Sequence, residues 1–347
     1  VMSDNPIRRP VESGSCWAFA TYGSMESYLY SEMPDFSENN LKNKHGFDLD
    51  PNTDGGNSLM AIAYLARWGG PVSEAEDPYN PASTTSPTFQ PQKHVQEAIF
   101  LDGTLTSIKN SLYQNGALAA GFYWNEANYK AATYSYYTSA ASTPNHGITI
   151  VGWDDNYAAT NFKTTAPGNG AFIVKNSWSD TWGESGYFYI SYYDVTLESF
   201  VAFHNAETTD NYDNNCSYDP LGLSGFLGVE SNSLMAANVF KSVASESLEA
   251  VSFYTPVPGS AYTVLIYTDP ASAPNSGSLK ATKSGTMTDA GYHTLKLDLP
   301  VSLNAGQKYS VVLTLTTPGY DYPIAMEYPI ADYSSLAVAN PGESFLS

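Results

Sequence analysis

The sequence predicts an α+β domain followed by an all-β sandwich, and three observations carry that prediction. Apolar residues recur at helical spacing early in the 347-residue chain and alternate at strand spacing later. All six tryptophans, Trp17, Trp68, Trp124, Trp153, Trp178 and Trp182, lie before residue 183. After about residue 205 the chain reads as short alternating runs broken by turn residues.

WAFATYGSMESYLY carries apolar groups at helical spacing and starts at or just after Cys16. SLMAIAYLARW is a second helical run, stopped by Gly69, Gly70 and Pro71, and SIKNSLYQ a third, ended by Asn115 and Gly116. The strand-like runs ALAAGFYW, HGITIVGW, GAFIVKNSW and GYFYISYY follow. Helices first and strands later give an α+β arrangement of two packed lobes. The later runs SLEAVSFYT, SAYTVLIYT, GYHTLKLDL and KYSVVLTLT alternate as half-buried strands do, with DPASAPNSG, TDAG and NAGQ as turns between them. The first domain is expected over residues 1–205 and the sandwich over 211–347, divided within HNAETTDNYDNN, residues 204–215. The chain ends at PGESFLS inside a further expected strand pair, so the sandwich is expected to be truncated there.

The formal net charge is -20, from 35 acidic against 15 basic residues. Phosphate backbones and anionic membranes need a basic face, so nucleic acid is excluded as a partner class. No apolar run is long enough for a membrane span, and VMSDNPIRRPVE lacks the apolar centre of a signal peptide. Two cysteines 200 residues apart give no disulfide framework, and Cys216 is expected to be a buried hydrophobe.

Three residues carry chemistry only as a set. A thiol attacks as thiolate, and a helix N-terminus lowers its pKa; Gly14 and Ser15 allow a tight turn that puts Cys16 there. His146 opens an apolar strand beside Gly147, and Asn176 closes another, with Trp178 and Trp182 following. A cysteine nucleophile needs a base within reach, and the base needs an orienting partner. His146 lies 130 residues beyond Cys16 and Asn176 lies 160 beyond it, close to a known Cys–His–Asn spacing.

With GSCWAF, FSENNL, DGGNSLMAIAYL, EDPYNP, NHGITIVGW and KNSWSDTWGESGYFYI in this order, the first 200 residues resemble a papain-like cysteine peptidase. The later strands, with YDPLG and PGESF, resemble the lectin-like domain that follows such peptidases in some bacterial and archaeal cell-surface proteins. The resemblance implies a secreted or surface-attached endopeptidase that acts on polypeptides without metal or organic cofactor. It implies Cys16 as nucleophile, His146 as base and then acid, and Asn176 as orienter. Trp178 would cover the His–Asn bond and Trp182 would line the leaving-group side. Gly55 and Gly56 would bind substrate backbone as a short strand, which suits residues that let another chain approach closely. The Cys16 backbone N–H would be half of the oxyanion hole.

The other half departs from the family. Its glutamine falls on Pro10, which has no N–H and no side-chain donor. Val11 stands at the family's next glycine, and Ser13 at its first cysteine. Losing one oxyanion donor costs about 10²- to 10³-fold in turnover. Pro10 therefore favours a rival reading, a binding or scaffold protein that keeps the fold with weakened catalysis. A third reading is an acyltransferase that hands the acyl group to an amine.

The sandwich has no tryptophan to stack on sugar rings, and Tyr254, Tyr262, Tyr267, Tyr309, Tyr320, Tyr322 and Tyr328 are read mainly as strand residues. A structural or targeting role, toward cell-surface polysaccharide or surface proteins, is expected. Asp210, Asp213 and Asp219 lack a calcium-loop pattern and read as an acidic turn.

Overall fold

The computed structural model describes residues 14–347. Pro10, Val11 and Ser13 lie outside the described residues. The chain divides into two compact units between Asn211 and Tyr212.

In the first unit four α-helices, α1 (Cys16–Tyr28), α2 (Glu38–Lys44), α3 (Ser58–Ala66) and α4 (Leu105–Asn115), accompany eight strands. These are β1 (His94–Phe100), β2 (Leu118–Phe122), β3 (Tyr129–Lys130), β4 (Ser135–Tyr136), β5 (His146–Asp154), β6 (Ala171–Lys175), β7 (Tyr187–Ser191) and β8 (Glu198–Glu207). Their order across the sheet is β1-β8-β2-β5-β6-β7-β4-β3, antiparallel except between β4 and β7. Side-chain caps start α2, α3 and α4: Ser37, Asn57 and Thr104 accept from the N–H groups of Asn40, Met60 and Ser107. The sheet's core is built from Leu118, Phe122, Ile148, Ile150, Val174, Phe188 and Ile190. β5 begins at the end of the sheet where its antiparallel neighbour β6 finishes. His146, the first residue of β5, and Asn176, which follows β6, are therefore brought to the same edge.

The second unit is a β-sandwich. One layer is the antiparallel pair β11 (Glu246–Thr255) and β14 (Ala290–Leu303). The other has the order β13-β12-β15-β10-β17, using β10 (Ser233–Lys241), β12 (Ser260–Thr268), β13 (Ser278–Met287), β15 (Lys308–Thr316) and β17 (Ser344–Leu346). β9 (Gly225–Leu227) pairs with β16 (Ile324–Met326). Val251, Phe253, Leu297 and Val301 of the first layer pack on Tyr262, Val264, Ile266 and Leu315 of the second. Alternation in SAYTVLIYT produces this directly, since its residues alternate between buried and less buried positions along β12.

One expectation needs correcting: Cys216 is exposed, because it sits in an irregular polar segment with no strand face to bury it. β8 continues to Glu207 through ladder bonds to β1. Of the seven tyrosines, Tyr254, Tyr262, Tyr267 and Tyr309 lie on strands, while Tyr320, Tyr322 and Tyr328 lie on loops, the last two exposed. No helix among the described residues is long and apolar enough to cross a membrane.

Candidate active site

Cys16 is the first residue of α1, and Ser15 is its N-cap. The Ser15 hydroxyl makes no capping bond; it pairs with the Tyr79 hydroxyl at 2.7 Å instead. The first N–H groups of a helix have no intrahelical acceptor, so α1 presents donors and a positive dipole end around the thiol. α1 lies tight against β5 at Gly147. A Cβ there would sit 3.0 Å from the Trp17 nitrogen and 3.1 Å from the Cys16 carbonyl carbon. A larger residue there would push α1 and β5 apart, and the residue before it, His146, reaches the thiol.

Burial pushes the Cys16 thiol up. The hydrogen bond with His146, the charge of its ring, and the N–H groups of Gly147 and Trp17 pull it down more strongly, so the pKa lies below the ordinary 9.0. His146 Nε2 donates to Asn176 Oδ1 at 2.8 Å. The Ser177 N–H also donates to that oxygen, at 2.9 Å, which fixes the amide with its acceptor toward the ring. An amide oxygen cannot donate, so Nε2 carries the proton and Nδ1 is left for the thiol. Both His146 and Asn176 are buried.

Trp178 stacks on the imidazole, with centroids 4.7 Å apart and planes 21° apart. Its ring is met edge-on by Trp124 at 4.8 Å and by Trp182 at 5.1 Å. Tyr129 stacks on Trp182 at 5.2 Å, and Phe122 lies 5.8 Å from the imidazole. Sequence reasoning did not single out Trp124 or Tyr129. The aromatic spacing in FYWNEANY just after β2 was the available signal.

Gly55 and Gly56 lie half-buried in the loop before α3. Gly55 has φ +78°, a left-handed conformation that favours glycine. A Cβ on Gly56 would sit 2.3 Å from the Trp17 indole, so this loop lies directly on the residue after Cys16. Cys16, His146, Asn176 and Trp178 thus form one cluster, with the glycine pair on the Trp17 side and Trp182 supporting Trp178 from behind. Among the described residues no His/Cys/Asp/Glu group has a metal-binding arrangement.

An α+β domain that sets a helix-borne thiol against an amide-held imidazole is a thiol-peptidase scaffold. The chain belongs to the papain family of cysteine proteases, whose profile "Papain family cysteine protease" matches residues 3–202. The profile "Lectin like domain" matches residues 216–347. Cathepsin F of Drosophila melanogaster is 34% identical over 196 residues, covering 52% of this chain and 30% of that protein. Cysteine proteinase 15A of Pisum sativum is 30% identical over 201 residues, covering 53% of this chain and 54% of that protein. The chain thus spans roughly a third to a half of the length of these curated relatives. The solved clostridial cysteine protease Cwp84 after propeptide cleavage superposes with a TM-score of 0.88 at 29% identity, covering 99% of this chain and 90% of that one. A second structure holds the cysteine protease and lectin-like domains of Cwp84, a surface layer associated protein of Clostridium difficile. It gives a TM-score of 0.86 at 28% identity, covering 99% of this chain and 81% of that one.

Proposed function

We propose that the chain is a cysteine endopeptidase working outside the cell, secreted or attached to its surface, with Cys16 as nucleophile. The observation that carries this reading is the 2.8 Å bond from His146 Nε2 to Asn176 Oδ1, which leaves Nδ1 facing a thiol of lowered pKa. The Cys16 thiol gives its proton to His146 Nδ1, and the thiolate attacks the carbonyl carbon of a peptide bond while the carbonyl electron pair moves to oxygen. The Cys16 N–H at the start of α1 stabilises that oxygen. His146 gives its proton to the leaving nitrogen as the C–N bond breaks, leaving a thioester on Cys16. His146 then takes a proton from water, whose oxygen displaces the thiolate and releases the acid. Every proton and electron pair is accounted for by these side chains and water.

Gly55 and Gly56 would take the substrate backbone as an added strand, and Trp178 would keep water from the His146–Asn176 bond. The sandwich would hold the enzyme near cell-surface polysaccharide or surface proteins; the relative with both domains is described as surface layer associated. Pro10 favours the scaffold reading, because it removes one oxyanion donor while leaving the thiol–imidazole pair intact.

Labelling by a peptidyl epoxide, located by mass spectrometry, tests the reading with an internal control. Cys16 should be modified far faster than the exposed Cys216. Equal labelling of both, or a rate unaffected by His146→Ala, contradicts it.

A further inference from the structure

Lys42 of α2 is fully buried, with 0% of its surface exposed. Enclosing an ammonium is costly unless its hydrogen bonds to water are replaced. Burial draws its pKa down to about 8, against the upward pull of Asp50 and Asp77. Its direct partners are neutral oxygens: Asn52 Oδ1 at 2.7 Å, the Ser83 carbonyl at 2.7 Å and the Pro81 carbonyl at 3.5 Å. Its Nζ also lies 5.9 Å from the centre of the Tyr79 ring. An apolar residue of the same length would avoid the desolvation cost but leave these oxygens without their donor.

The same partners lead back to the nucleophile. The Asn52 carbonyl accepts from the Gly14 N–H at 2.8 Å. The Tyr79 hydroxyl pairs with the Ser15 hydroxyl at 2.7 Å. Gly14 and Ser15 are the two residues before Cys16, and Asn52 lies on the loop that carries Gly55 and Gly56. The contacts close a ring that runs from Lys42 through Asn52 to Gly14 and Ser15, then through Tyr79 back to Lys42.

We propose that Lys42 is a positioning residue for substrate binding. It ties the 50–56 loop and the 79–83 segment onto residues 14 and 15, so that the Gly55–Gly56 edge keeps one geometry beside the nucleophile. The inference rests on the roles proposed above for Cys16 and the glycine pair. His146 and Asn176 belong to neither loop, so the thiol–imidazole pair does not depend on Lys42.

Lys42→Met tests this by hydrogen exchange, peptide kinetics and alkylation of Cys16 by iodoacetamide. Exchange over 50–56 and 79–83 should quicken about tenfold, with the strands of the second unit unchanged. KM for peptides should rise about tenfold, with kcat within about twofold. Iodoacetamide needs no peptide edge, so its rate should stay within about twofold of the parent. Parent-level exchange in both loops overturns the proposal. So does a fall in alkylation that matches the loss of peptide turnover. If the parent cleaves no peptide, the peptidase reading fails by itself, while exchange and alkylation still decide the role of Lys42. Asn52→Ala removes the same link from a half-exposed loop and should reproduce the faster exchange if Lys42→Met does not fold.

Discussion

His146 and Asn176 are joined by a 2.8 Å bond from Nε2 to Oδ1, and the Ser177 N–H holds the same oxygen in place. That bond decides which ring nitrogen is free, so it sets the imidazole's tautomer as well as its angle. Asn176→Ala should lower kcat by about 10²-fold, with KM little changed, because the ring loses its orientation rather than its ability to take a proton. Steady-state kinetics on one peptide checks this.

Gly147 sets the distance between α1 and β5. In Gly147→Ala the new methyl meets backbone atoms of Cys16 and Trp17 at 3.0–3.1 Å, and neither can swing aside. Either the helix or the strand must shift. Overpacking of this kind costs about 1–3 kcal/mol. Calorimetry should show a lowered Tm, and activity should fall further than stability alone explains.

The thiol of Cys16 lies below its ordinary 9.0 although burial alone would raise it. The acid limb of kcat/KM should therefore lie below the ordinary thiol value of 9.0. In His146→Ala, burial remains while the largest lowering influence is gone. The pH midpoint of iodoacetamide alkylation should then move upward. A midpoint that stays put contradicts the pairing of these two groups.

Pro10 is tested by Pro10→Gln. If the missing side-chain donor limits turnover, kcat should rise by about 10²- to 10³-fold with the thiol's pH dependence unchanged. No rise removes Pro10 as the reason for weak catalysis.

The parts of the fold legible in the sequence are those with a clean period. SAYTVLIYT buries every second residue along its strand, SLMAIAYLARW is an apolar run buried continuously from Met60 to Leu65, and each forms its expected element. The helix over SLMAIAYLARW ends at Ala66, since Trp68 has φ +62°. α2 carries no helical apolar stripe in the sequence, because it buries Asn39, Asn40 and Lys42. Asn39 and Asn40 bond to Asp77 across 37 or 38 residues of chain, which no local pattern records. The exposure of Cys216 is not legible in composition, since a cysteine's burial depends on whether a strand face receives it. Around the site, the motifs flagged Cys16, His146 and Asn176. The distances, the tautomer and the Trp124–Trp178 contact come from the packing of α1 on β2 and β5 and the pairing of β5 with β6.

The most direct measurement is turnover of a mixed fluorogenic peptide library by the parent chain beside Cys16→Ala. Cleavage by the parent and none by the variant is the predicted result. No cleavage by either, or equal cleavage by both, contradicts a peptidase that works through Cys16.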